Sequence, residues 1–180
     1  MPHLHNEPGQ HDFTTSAFII RTDGPEPTVM LHEHRKLGRL LQFGGHIEHD
    51  ETPWQGLLRE LEEEIGYQAD QIHVLQPRSR FVDSLSSDKA HPLPFYLNTH
   101  KFNDVLDHYH SDITYAILAS EPPKQSIAEG ESAAVHQFTL DQIEALSEED
   151  LYPQTRAIAR HLLSSLKDDW EPVPATDYPA

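Results

Sequence analysis

The chain has no cysteine among its 180 residues. Disulfides, thiolate nucleophiles and thiolate-held metals are therefore excluded, which fits a reducing cytosol. It also lacks any apolar run near the roughly 20 residues of a membrane span. The first residues, MPHLHNEPGQHDF, lack the apolar centre of a secretory signal. A cytoplasmic protein without membrane contact is expected. Positive charge is scarce: 13 Lys and Arg stand against 30 Asp and Glu, a formal charge of -17. Such a surface repels polyanions, so duplex DNA or long RNA is not expected as the main partner. A small phosphate ligand stays accessible if a cation bridges it to the protein. Fourteen histidines add a pH-dependent component, since protonating all of them would move the charge from -17 to -3.

What is present suits one folded domain with many turns: 37% hydrophobic residues, several apolar runs and 14 prolines. No internal repeat or long low-complexity tract occurs. FTTSAFII (Phe13–Ile20) and TVMLHEH (Thr28–His34) read as a hairpin around the Gly24 turn. LLQFGGHIE (Leu40–Glu48) starts apolar and is expected to break at Gly44-Gly45. Strands are predicted around Gln71–Phe81, Leu93–Asn98, Asp112–Ser120 and Ala134–Leu140, with helices at Asp141–Leu146 and Gln154–Leu166. The acidic, proline-rich end from Asp168 to Ala180 is either disordered or docked through Trp170 and Tyr178.

The best-marked element is a helix from about Pro53 to Ile65. Thr52 and Gln55 have capping-box spacing, Pro53 suits the first helical position, and Gly66 suits a left-handed C-terminal cap. Trp54, Leu57, Leu58, Leu61 and Ile65 form one apolar stripe. Glu60, Glu63 and Glu64 share an arc of roughly 100° displaced from that stripe. Neighbouring glutamates on a helix repel by roughly 0.2–0.5 kcal/mol per pair. Either the face is solvated, or the carboxylates line a cleft for a hard divalent cation such as Mg2+. The preceding glycines let backbone approach closely.

The wider pattern runs from Gly45 through Glu51 to Arg59-Glu60-Leu61-Glu62-Glu63-Glu64-Ile65-Gly66-Tyr67. It resembles the signature of the Nudix hydrolase family, G-x5-E-x7-R-E-U-x-E-E-x-G-U, with U a bulky apolar residue. Every fixed position matches, although Tyr67 stands where an aliphatic is more usual and Phe43 where a proline commonly precedes the glycine pair. The resemblance implies an α/β fold of the α+β type, a Nudix-like α/β/α sandwich with a mixed sheet. The expected organisation is a Nudix domain over residues 11–146, a closing helix over 147–167 and a tail over 168–180. It implies hydrolysis of a diphosphate bond in a nucleotide or nucleotide-linked small molecule, with Mg2+ or Mn2+ as cofactor. Glu60, Glu63 and Glu64 resemble the metal-binding carboxylates, and the carbonyl of Gly44 a backbone metal ligand. Arg59 and Glu51 resemble the ion pair that ties loop to helix, placing Arg59 within the catalytic machinery. The general base is Glu60 itself or a later glutamate, with Glu131 in AEGESAAVHQF the leading candidate and Glu129 its neighbour.

Other polar groups are candidates from their positions. Arg35, Lys36 and Arg39, just ahead of the glycine turn, either hold substrate phosphates or balance an acidic surface. His46, beside the glycines, joins them as a candidate substrate contact. His108, His110 and Asp112 alternate, so on a strand they share a face and either touch metal or substrate or bond at the strand edge. The secondary marks of the ADP-ribose, dinucleoside-polyphosphate, NADH and coenzyme A subfamilies are absent, which leaves the substrate open. Two other classes compete: a non-catalytic Nudix-fold nucleotide-binding regulator, and a histidine-rich transition-metal binder. The intact box favours the enzyme, and the scatter of the histidines weakens the third reading. A homodimer is left open.

Overall fold

The structure, a computed structural model, describes residues 8–35, 37–81, 90–101, 108–128, 134–164 and 169–179. The first half contains strands β1 (His11–Arg21), β2 (Thr28–His34), β3 (Arg39–Leu41) and β4 (Phe43–His46), then helix α1 (Pro53–Ile65) and strand β5 (Ile72–Pro77). The second half contains β6 (Tyr96–Lys101), β7 (Tyr109–Ala119), β8 (Val135–Phe138), α2 (Leu140–Ala145), α3 (Pro153–Ser164) and β9 (Trp170–Pro174).

Two long strands form the spine. β1 and β7 lie parallel, in register from His11 opposite Tyr109 to Arg21 opposite Ala119. The other pairings between these strands are antiparallel, so the sheet is mixed. Each spine strand changes neighbour along its outer edge. β1 pairs with β4 over its first half and β2 at its end, while β7 pairs with β6 and then β5. The early halves of the spine therefore run side by side in the order β4, β1, β7, β6.

Alternation along β1 sends successive side chains to opposite faces. Ala17 and Ile19 join Tyr115 and Ile117 of β7 under the α1 stripe of Trp54, Leu57, Leu61 and Ile65. Phe18 and Ile20 join Val29, Leu31 and Ala116 under Ile143 of α2 and Ala159 and Leu162 of α3. The result is the expected sandwich: α1 on one face, α2 and α3 on the other. Truncating a buried leucine of either core would cost about 2–5 kcal/mol.

Several expectations shift in detail. β4 runs through both glycines instead of breaking there, with Gly44 opposite Ser16 and Gly45 opposite Thr15. Gly44 manages this at φ 135°, where a Cβ would stand 2.1 Å from the Thr15 carbonyl oxygen. Only a residue without a side chain lets the strands approach so closely. β6 starts at Tyr96 rather than Leu93, because Pro92 and Pro94 have no N–H to donate, and pairing opens with the Phe95 N–H on the Thr114 carbonyl (2.8 Å). α3 is described as far as Ser164, so the predicted end at Leu166 lies outside the described residues. The acidic tail is docked: β9 pairs antiparallel with β5, Trp170 packs on Phe95, and Tyr178 meets the Trp54 ring at 6.0 Å. No helix of the described residues is long and apolar enough to cross a membrane.

Candidate active site

The local sequence pins α1 at both ends. The Gln55 N–H donates to the Thr52 hydroxyl (3.3 Å) and the Thr52 N–H to the Gln55 side-chain oxygen (2.9 Å). At the other end Gly66, at φ 78°, donates its N–H to the Glu62 carbonyl (3.0 Å). These bonds satisfy backbone groups a bare helix end leaves exposed. They fix where Arg59 and the glutamates stand.

Arg59 is the hub. Its Nε donates to Glu51 Oε1 (2.7 Å) and its Nη2 to Glu51 Oε2 (3.1 Å), a two-pronged ion pair. Nη2 also donates to the His46 carbonyl (3.0 Å), and Nη1 to Glu60 Oε1 (2.9 Å) and Glu63 Oε2 (3.2 Å). One guanidinium thus ties the end of β4, the turn before α1 and the acidic face of α1 together. Its hydrogen bonds hold the Glu51 carboxyl below the usual carboxylate range, and Glu51 in turn raises the pKa of Arg59. Glu51 Oε2 also accepts the Glu48 N–H (3.2 Å), closing the turn.

The glycine pair shapes the two inner carboxylates. Glu64 Oε2 accepts the Gly44 N–H (2.7 Å). Glu60 packs on Gly45 so closely that a Cβ there would stand 2.3 Å from Oε1. Glu60 and Glu64 are buried, while Glu63 is half-exposed. Glu62 points elsewhere, exposed and bonded to the Gln125 side chain (3.0 Å). Glu60 and Glu63 thus share a single guanidinium that Glu51 already engages twice, and Glu64 adds a third carboxylate held on the Gly44 N–H. This excess of negative charge, made of hard oxygen donors, fits a divalent cation of the Mg2+ type.

Of the other sequence candidates, His46 enters the site through its carbonyl, while its ring faces the opposite side of the sheet. Arg35 is exposed in the turn after β2. The Arg39 guanidinium lies 4.3 Å over the Tyr152 ring, in the wall of a surface groove of about 300 Å3 also lined by Glu33, His136 and Asp150. No box carboxylate lines that groove. Lys36, Glu129 and Glu131 lie outside the described residues.

Asp112 and the alternating histidines separate into two roles. Asp112 accepts the hydroxyls of Thr14 (2.8 Å), Ser16 (2.7 Å) and Thr114 (2.7 Å), a buried polar tie between β1 and β7. His108 and His110 turn instead to Asp12, a carboxylate that local reading missed. Its Oδ2 lies 3.1 Å from His108 Nε2 and 3.4 Å from His46 Nε2. Asp12 is 98 residues from His110 in the chain but directly opposite it in the parallel pairing. The signal lay in the matching alternation of Asp12-x-Thr14-x-Ser16 with His110-x-Asp112-x-Thr114.

A mixed sheet between helical layers, with a glycine strand feeding a capped acidic helix, defines a fold class built to carry a loop-and-helix catalytic box. The chain belongs to the NUDIX domain family, which it matches over residues 11–162. It is similar to a NUDIX-family hydrolase from Clostridium perfringens, at 25% identity and a TM-score of 0.69, covering 84% of this chain and 95% of that one. It shares its fold with a Caenorhabditis elegans Ap4A hydrolase in a binary complex (14% identity, TM-score 0.61, 87% and 98% covered). The same holds for a MutT NUDIX hydrolase from Burkholderia pseudomallei (19% identity, TM-score 0.56, 86% and 99% covered). Comparison with curated proteins gave no significant match.

Proposed function

We propose that this chain is a Mg2+- or Mn2+-dependent hydrolase that cleaves a diphosphate bond in a nucleotide or nucleotide-linked small molecule. The observation that carries the reading is Glu60 and Glu64 held buried against the two glycines, with Arg59 bracing the acidic face. Membership of the family supports the reaction class. Neighbours named as an Ap4A hydrolase and a UDP-X diphosphatase suit such a bond, but at 14% and 16% identity they speak for the fold and not for the substrate.

In this reading Glu60, Glu63, Glu64 and the carbonyl of Gly44 hold the cation. When bound, the cation neutralises phosphate oxygens and lowers the pKa of a nearby water. The chain's own task is to keep the carboxylates placed and to take a proton from the attacking water. Arg59 and Glu51 do the placing. The proton goes to Glu60 or Glu131. The N–H of Ala128, three residues before Glu131 in the sequence, donates to the Glu63 carbonyl (2.9 Å). Of the basic candidates, Arg35 and Lys36 are left for holding substrate, since the His46 ring faces the other side of the sheet and Arg39 lines a groove without box carboxylates.

The test is a screen of nucleoside di- and triphosphates, nucleotide sugars, dinucleotides and ADP-ribose with Mg2+ and with Mn2+. Thermal melts in EDTA and in excess Mg2+ run alongside. Metal-dependent release of phosphate or nucleotide is expected. Binding of the cation should stabilise the fold by about 2.7 kcal/mol at a hundredfold excess over its dissociation constant. Nucleotide binding without turnover would favour a regulator instead. Identical melts, with any turnover surviving chelation, would reject the metal-dependent reading.

A further inference from the structure

Alternation along β4 separates two sites. Gly45 pairs with Thr15 and faces α1, whereas His46 pairs with Thr14 and turns its ring to the other side of the sheet. On that side neighbouring strands present a lateral row of metal-binding side chains. His46 comes from β4, Asp12 from β1, His110 from β7 and His100 from β6, with Asp12 opposite His110 and His100 opposite His110. One ligand atom from each of Asp12, His46 and His110 lies within 4.8 Å of the others. The His46 ring meets His110 edge-on at 5.1 Å, and His108 meets it at 5.5 Å. Asp12 is fully buried, His108 and His110 nearly so.

A buried carboxylate needs positive charge nearby. Among the described residues, the imidazoles of His46, His108 and His110 gather around it. His46 Nε2 and His108 Nε2 both approach the same oxygen, Asp12 Oδ2. A single metal cation accepting lone pairs from the imidazoles and the carboxylate meets that need. The donor set also differs from the box. Glu60, Glu63 and Glu64 offer oxygen alone, whereas two or three imidazole nitrogens with one carboxylate oxygen suit Zn2+ or Co2+ over Mg2+.

We propose that Asp12, His46 and His110 form a binding site for a divalent transition-metal ion of the Zn2+ class, distinct from the box carboxylates, with His108 at its edge. The site joins three strands, so an ion here cross-links β4 to the spine. Asp112 is not part of it, being engaged by its three hydroxyl donors. The proposal does not depend on what the box hydrolyses.

The test uses the full chain with Co2+ as a visible probe, in excess Mg2+ to occupy oxygen-only sites. The expected result is one equivalent of Co2+ with ligand-field absorption that Zn2+ displaces. Glu64→Gln should retain it. Asp12→Asn and His110→Gln should each weaken it by more than about tenfold. A double His3→Ala, His5→Ala variant controls for histidines near the N-terminus and should bind as the parent does. If Asp12→Asn fails to fold, His46→Gln takes its place. Absence of bound Co2+ and Zn2+ in folded protein would overturn the proposal. Binding that survives both Asp12→Asn and His110→Gln would also overturn it, by assigning the ion to other histidines. If Mg2+ leaves the melts and turnover unchanged while Co2+ still binds here, only the box reading falls.

Discussion

Glu60 rests its carboxylate on the bare Cα of Gly45: a methyl group there would stand 2.3 Å from Oε1 and 2.6 Å from Cδ. The obstacle is a movable side-chain tip, so Gly45→Ala should keep the fold and push Glu60 out of place. The expected loss of turnover is at least tenfold, on the order of what misplacing a catalytic group costs. Gly44→Ala should behave differently. Its new methyl meets backbone, the Thr15 carbonyl oxygen at 2.1 Å, at a φ of 135°. It should lower stability by roughly 1–3 kcal/mol. Urea unfolding and turnover on the two variants separate the effects; equal stability losses would mean that Glu60 is not free to yield.

Arg59→Lys keeps the charge and loses the fork. A lysine ammonium cannot grip both Glu51 oxygens while reaching Glu60, Glu63 and the His46 carbonyl. Each lost hydrogen bond to a charged group is worth about 1.5–3 kcal/mol. Because these bonds are partly exposed and interdependent, the expected net loss is roughly 2 kcal/mol. A urea midpoint equal to that of the parent would show that Arg59 braces nothing.

Glu64→Gln keeps the shape of the side chain that accepts the Gly44 N–H but removes its charge. Turnover and the thermal response to Mg2+ should both fall, with the fold intact. Glu62→Gln lies on the exposed side of α1, against Gln125, and should be nearly silent. Equal losses from the two would refute the division of the helix into an acidic site face and a solvent face.

The general base is decided by comparing Glu131→Gln with Glu60→Gln at saturating metal. Loss of a general base lowers turnover by roughly 10²–10⁴-fold. If Glu131 is the base, its variant should show that loss with little change in substrate binding. If the loss belongs to Glu60→Gln and Glu131→Gln is near normal, Glu131 leaves the mechanism. Glu129→Gln is the neighbour control.

The parts of this molecule that were legible in sequence are those whose causes are local. The capping box at Thr52, the left-handed cap at Gly66 and the stripe from Trp54 to Ile65 each depend on residues within one or two turns, and α1 came out with the predicted bounds. The spine was partly legible, since β1 and β7 read as strands, but nothing local announces that they lie parallel. Asp12 was therefore invisible as a partner of His110. The glycine pair was misjudged for a related reason. Gly44-Gly45 looks like a break until β1 is placed beside it, and only then does the missing side chain become the condition for pairing. The tail strand β9, with two prolines in five residues, carries no strand signal of its own and is recruited by the open edge of β5.

His32 offers a pH test that does not touch the site. It is buried on β2 beside the Phe43 ring, and burial, with the neighbouring His34, pushes its pKa down to about 4 from the usual 6.5. The folded state therefore prefers the neutral ring. Above about pH 6.5 the ring is neutral in both states, and its contribution to stability is fully present. As pH falls from 6.5 to 4 the unfolded chain binds the proton first, and stability drains away. Below about 4 both states are protonated and the loss stops. A gap of this size corresponds to roughly 3 kcal/mol. Glu51 works at a different pH, because its carboxyl is held low by Arg59 and its contribution is lost only as pH falls below about 4.5. Urea unfolding at pH 7 and pH 5 thus isolates the histidine. His32→Gln should be less stable or equal at pH 7, yet lose clearly less than the parent on going to pH 5. Parallel losses in the two proteins would assign the acid sensitivity to other histidines and refute the role given to His32.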